Sequence, residues 1–176
     1  MRLVFGILTI AILGCGLFVL QPTEAVPQRT QLLGYDSFQF GMSEDDIRKQ
    51  IKIADPQRTN MGGVSWKATK SLKFADSQFV PYFRLQDGGL AQISLVRFAK
   101  VQGETCEGET KRLLWEMAKR HGAPDTPLAM QGQKERYKAT FTFADGGSIK
   151  VETLFDKMNK LICLETIVYE RSATAS

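Results

Sequence analysis

Two copies of one hairpin pattern, 58 positions apart, constrain this chain more than any other feature. FVPYFRLQDGGLAQISLVRF turns at Asp87-Gly88-Gly89, and YKATFTFADGGSIKVET turns at Asp145-Gly146-Gly147. In both, apolar and polar residues alternate, the period of a strand with one buried face. A one-residue slip exchanges the faces of a strand, so the pattern itself argues for a register. A three-residue loop pairs Leu85 with Ala91 and Phe83 with Ile93 inside, and sets Arg84 against Gln92 and Tyr82 against Ser94 outside. A two-residue loop at Asp87-Gly88 would set Arg84 against Ala91 and mix the faces, so the longer loop with a left-handed glycine is expected. The same rule in the second copy pairs Phe143 with Ile149 and Phe141 with Val151. Thr142 then faces Lys150, and Thr140 faces Glu152, on the outside.

A helix signal precedes each hairpin. In FQFGMSEDDIRKQI, Ser43 is an N-cap with Asp46 three residues on, and Met42 and Ile47 are placed for a hydrophobic staple. Glu44, Asp45 and Asp46 suit the positive end of the helix dipole. Ile47 and Ile51 line one face, and Asp55-Pro56 is expected to stop the helix. The second helix is predicted over roughly Thr105 to His121, with Thr110, Leu113, Leu114, Met117 and His121 at helical spacing. Gly122 and Pro124 end it. The last strand, LICLETIVY from Leu161, is apolar on both faces and so is expected to be central or covered. Repeated helix-then-hairpin order predicts an α+β fold of tandem helix-plus-antiparallel-sheet units after an N-terminal signal segment. The expected boundaries are 1–25 for the signal or anchor, 26–40 for a linker, 41–103 and 104–171 for the two units, and 172–176 for a tail.

The address comes from the first residues. Arg2 precedes an uncharged run from Leu3 to Leu20, and Thr23-Glu24-Ala25 follows, the order of a secretory signal with Val26 as the mature start. The run is also just long enough for a retained anchor, and Ile12-Leu13-Gly14-Cys15 reads as a lipidation site at Cys15. All three readings place the rest of the chain in the periplasm or outside the cell. Membrane contact is then expected only through residues 1–25 or a lipidated Cys15. Cleavage leaves two cysteines, Cys106 and Cys163, and in an oxidising compartment they are expected to pair. Against that stands the last strand, where Ile162, Leu164 and Val168 look like the core face and turn Cys163 the other way.

Gly41, Met42, Ser43 and Ile47 resemble the helix start of small envelope proteins of the outer-membrane assembly lipoprotein (SmpA/OmlA) type. Arg120-His121-Gly122-Ala123-Pro124 is similar to the Leu-Gly-x-Pro ending of such helices, with histidine in place of leucine. The helix-then-sheet unit used twice looks like the tandem fold of the beta-lactamase inhibitor proteins. The resemblance implies a small envelope protein that binds other proteins.

Chemistry is sparse. The chain has one histidine and no His-Glu-x-x-His, Gly-x-Ser-x-Gly or P-loop motif. No cofactor, metal site or catalytic residue is expected. His121 reads as a cation complementing the dipole at a helix end. It would lie about 22 Å from Cys106 along one helix, too far to serve it as a base. Glu107 and Glu109 sit at a helix N-terminus, which lowers a carboxyl pKa and disfavours general-acid work. The net charge of +4 is scattered, with no run of five like charges, so no nucleic-acid partner is expected. The register leaves one feature: Val80, Tyr82, Arg84, Val96 and Phe98 share the outer face of the first hairpin, while the second presents Lys138, Thr140, Thr142, Lys150 and Glu152. The first face is either covered by the same chain or a site for a protein partner. A non-enzymatic protein-binding module, an assembly factor or an inhibitor-like protein, is the leading expectation. A ligand-binding or hydrolytic module is the alternative, favoured by a pocket of convergent polar groups with a perturbed carboxylate.

Overall fold

The computed structural model describes residues 29–58, 64–100, 106–126, 129–130, 136–155 and 162–171. The expected cleavage site, Cys15, Thr105 and the tail 172–176 lie outside these residues. The protein is α+β with the sheet dominant. A small hairpin, β1 (Gly34–Tyr35) and β2 (Phe38–Gln39), precedes α1 (Glu44–Gln50). The strands β3 (Gln57–Arg58), β4 (Val64–Lys67), β5 (Leu72–Phe74), β6 (Ser77–Gln86) and β7 (Gly89–Lys100) follow. The second half runs α2 (Glu107–His121), β8 (Ala129–Met130), β9 (Arg136–Thr142), β10 (Ser148–Phe155) and β11 (Ile162–Glu170). One antiparallel sheet has the order β3-β4-β6-β7-β11-β10-β9-β8, with β5 paired to the start of β6. Both hairpins thus lie in one sheet, joined through the last strand, which is central as its two apolar faces require.

The first helix begins as its sequence dictates. Ser43 Oγ accepts the Asp46 amide at 3.2 Å, and the Ser43 hydroxyl donates to the Asp46 carboxylate at 2.7 Å. It ends earlier than Asp55-Pro56 implies, with Ile51 already extended. Ile51 and Ile53 are both buried, and Ile53 bridges Ala68. Two β-branched residues at period two gain more by covering the sheet than by extending a short helix.

The segment expected to be a linker contributes to the core. Leu32, Tyr35 and Phe38 are buried, and Phe38 packs on Phe83 at 4.8 Å between ring centroids. Arg29 ties this strap down. Its guanidinium donates to the carbonyls of His121 and Ala123 and to the Asp125 carboxylate, and it lies 5.0 Å from the Phe141 ring centre.

Both turns differ from the three-residue expectation. The first is a two-residue turn at Asp87-Gly88, both at positive φ (52° and 80°), which pairs Leu85 with Leu90. These are the φ signs of a type I′ turn, whose twist matches the strands. A register irregularity beside Leu85 absorbs Ala91, so Phe83↔Ile93, Arg84↔Gln92 and Tyr82↔Ser94 form as expected. The second hairpin is two residues out of the expected register. Phe141 opposes Ile149, Thr140 opposes Lys150 and Lys138 opposes Glu152. The strap explains the wider loop: Asp145 accepts the Leu32 and Gly147 amides, both at 2.9 Å, and Ala144 donates to the Arg29 carbonyl. A shift of two keeps every side chain on its expected face.

Candidate protein-binding surface

Antiparallel pairing puts opposed residues on the same face, so the sheet's outer side can be laid out row by row. At one end Leu154, Leu164 and Phe98 lie abreast on β10, β11 and β7. Next come Lys138, Glu152, Thr166, Val96 and Val80, then Thr140, Lys150, Val168, Ser94, Tyr82 and Lys67. The row nearest the two turns is Thr142, Ser148, Glu170, Gln92, Arg84 and Ser65. Among the described residues no helix or strand packs over these rows; the helices and the strap all contribute to the opposite face.

The five residues expected to form a recognition face are therefore brought together. Val80, Tyr82, Arg84 and Val96 are part-exposed, and Phe98 is 71% exposed. An exposed phenylalanine near the C-terminal end of β7, abreast of two leucines, is the anomaly here. Trp66 opposes Phe83 and so belongs to the core side. The sequence reading missed the other half of the patch. Ile162, Leu164 and Val168, expected to face the core, lie on the open side, while Cys163, Glu165, Ile167 and Tyr169 are buried. The apolar surface thus runs from Val80 across Val96, Phe98 and Leu164 to Leu154. Polar pairs bound it: Arg84 and Lys150 both reach Glu170, at 3.5 and 2.6 Å, and Lys138 reaches Glu152 at 3.6 Å. An apolar centre with a paired, polar border is the make-up of a protein interface.

The other face holds the groups that could carry chemistry. Cys106 and Cys163 form a disulfide with Cα atoms 5.7 Å apart, so Cys106 is no nucleophile. This bond also stands where a capping side chain would otherwise fix the start of α2, for Cys106 makes no side-chain cap there. Below it the Thr110 and Thr153 hydroxyls hydrogen-bond to one another. Glu165, fully buried on β11, lies 3.3 Å from Arg97 and 3.6 Å from Arg112. Glu109 meets the same arginines at 3.9 and 3.0 Å. Burial, then the neighbouring Glu109, pushes the Glu165 carboxyl up to about 8. Burial alone would raise Glu109, but hydrogen bonds from Glu165 and Arg112 and the two guanidinium charges hold it below its ordinary value. The pair shares one proton between two cations.

His121 is not the dipole-complementing cation the sequence implies. Arg29 caps the end of α2, and the imidazole packs on Phe143 at 5.6 Å. Burial, then the charges of Arg120 and Arg29, lowers its pKa, so the ring is neutral at pH 7. It borders a cavity of about 370 Å³ with Gly34, Tyr35, Asp36, Lys73, Arg120 and Tyr169. The raised carboxyl and this cavity do not coincide: Glu165 and Tyr169 are four residues apart on β11, about 13 Å.

No family model, curated protein or solved structure matches this chain. Among the described residues no helix is long and apolar enough to cross a membrane.

Proposed function

We propose that this is an exported, non-enzymatic protein-binding module of the cell envelope, an assembly factor or inhibitor-like protein, whose partner docks on the open sheet face. One observation carries the reading. An apolar patch that runs from Val80 and Val96 to Phe98, with Tyr82 and Arg84 on the same face, lies uncovered among the described residues. Aromatic and arginine side chains concentrate binding energy at such sites. Export rests on the order of Arg2, the apolar run and Thr23-Glu24-Ala25, and a buried disulfide suits a chain that folds in an oxidising compartment. Two tandem helix-sheet units, merged edge to edge through β11, are the architecture that goes with this reading. A hydrolytic module would need its cavity and its perturbed carboxyl in one place, and they stand apart.

Capture of partner from envelope extract by Phe98→Ala and Tyr82→Ala proteins, beside their thermal stability, tests the reading. An exposed side chain truncated to alanine changes stability by no more than ~0.5 kcal/mol. A docking residue should weaken capture at least tenfold, ~1.4 kcal/mol. Phe98→Ala protein that melts normally and captures the partner undiminished would overturn it.

A further inference from the structure

We propose that the cavity at the C-terminal end of α2 binds a small organic monoanion of the carboxylate class. It lies on the helix side of the sheet, so the proposal is independent of the protein-binding face. Its walls come from the β1–β2 hairpin (Gly34, Tyr35, Asp36), from Lys73 on β5, from Arg120 and His121 on α2, and from Tyr169 on β11. At about 370 Å³ it falls within the range of small-ligand sites.

Arg120 sets the chemistry of this cavity. A cation in the last turn of a helix ordinarily serves the terminal carbonyls. Here that work is done by Arg29, which binds the His121 and Ala123 carbonyls and the Asp125 carboxylate. Arg120 instead lies over the Phe74 ring, 4.8 Å from its centre, beside the Tyr35 hydroxyl. Among the described residues neither Arg120 nor Lys73 has a carboxylate within ion-pair distance. Arg120 and Lys73, neither of them in an ion pair, thus border one concavity together with Tyr35, Asp36 and Tyr169. A planar guanidinium backed by a ring is a ready carboxylate fork, since its donors already point in fixed directions. The neutral His121 adds a donor or acceptor at the rim without adding charge. Asp36, also in the lining, leaves the site one positive charge in excess, which favours a monoanion over a dianion.

The chain's one histidine supplies the test, because its Hε1 and Hδ2 signals have no counterpart elsewhere in the chain and report on the cavity. Benzoate, acetate and inorganic phosphate would be titrated into the full-length protein at constant ionic strength, with chloride as the reference. The expected result is a saturable shift of the His121 signal with benzoate or acetate and a rise in its pKa as the anion offsets the nearby cations. Arg120→Gln should weaken binding roughly tenfold or more, the loss of a charge-assisted fork. Lys73→Gln, at an exposed position, is the second variant should Arg120→Gln not fold. A shift no greater than chloride produces, or one that survives both substitutions, would overturn the proposal. Saturation by phosphate with no response to either carboxylate would overturn the carboxylate assignment.

Discussion

Replacing Glu165 by glutamine should flatten the pH dependence of stability. The carboxyl is fully buried and faces Arg97 from β7 and Arg112 and Glu109 from α2, with Ser77 bonded to Arg97 behind it. Its pKa rises from 4.5 to about 8 on folding, with burial the first cause. The native state then holds a proton that the unfolded state has released, so between these values stability falls as pH rises. The contribution is complete below pH 4.5 and gone above pH 8. A displacement of this size corresponds to on the order of 5 kcal/mol for an isolated group, an upper bound because the proton is shared with Glu109. Glu109 acts in the opposite sense, but only below its own ordinary value, outside this window.

Melting curves at pH 5, 6, 7 and 8 read the effect directly. For a chain of this size each kcal/mol is worth ~2–4 °C, so the wild-type melting temperature should fall by roughly 10 °C across the range. Glutamine keeps the shape and a donor for Glu109 while removing the proton, and its curve should be nearly level. Glu109→Gln gives a control: without a second carboxylate to repel it, Glu165 should ionise more readily and the fall should move to lower pH. A level wild-type curve, or an equal slope in Glu165→Gln, would refute the shared proton.

The disulfide is worth ~4 kcal/mol on the loop-entropy argument for a sequence separation of 57. Cys106→Ala/Cys163→Ala should therefore show a lower urea midpoint, and an unchanged midpoint would mean that local packing alone holds α2 to β11. Gly88→Ala isolates a backbone cost, since φ is +80° and an added Cβ meets nothing within 4 Å. It should lose about 1–2 kcal/mol, measured by the same denaturation; no loss would mean that the turn readily adopts another form.

Much of the fold was legible because local rules and the pattern agreed. Ser43 with Asp46 marked the start of α1, and alternation around Phe83 and Phe141 identified both hairpins and their faces. What failed was decided from a distance. The strap at Arg29 and Leu32 widened the second turn through Asp145, and no rule local to Asp145-Gly146-Gly147 contains that partner. The linker failed for a related reason: the apolar residues Leu32, Leu33, Tyr35, Phe38 and Phe40 follow neither a helical nor a strand period through that segment, so no pattern marks which are core. Glu165 escaped notice because a lone glutamate in an apolar strand looks like a solvent-facing break, and its partners sit 53 to 68 residues away.

The last strand is where two sequence inferences collided, and the outcome shaped the candidate surface. Pairing Cys163 with Cys106 demands that odd-numbered residues of β11 face α2, whereas hydrophobicity favours Ile162, Leu164 and Val168 inside. Alternation allows only one. Burying Leu164 instead of Glu165 would be worth roughly 2 kcal/mol or more by transfer alone, but the crosslink counts for about twice that. Arg97 and Arg112 further lower the cost of placing Glu165 inside. With the odd set buried, the aliphatic even set has nowhere to go but the open face, next to Phe98. The exposed apolar patch is therefore partly a consequence of the disulfide. The pairing of Cys163 with Cys106 by itself places Leu164 beside Val96 and Phe98 on the open face.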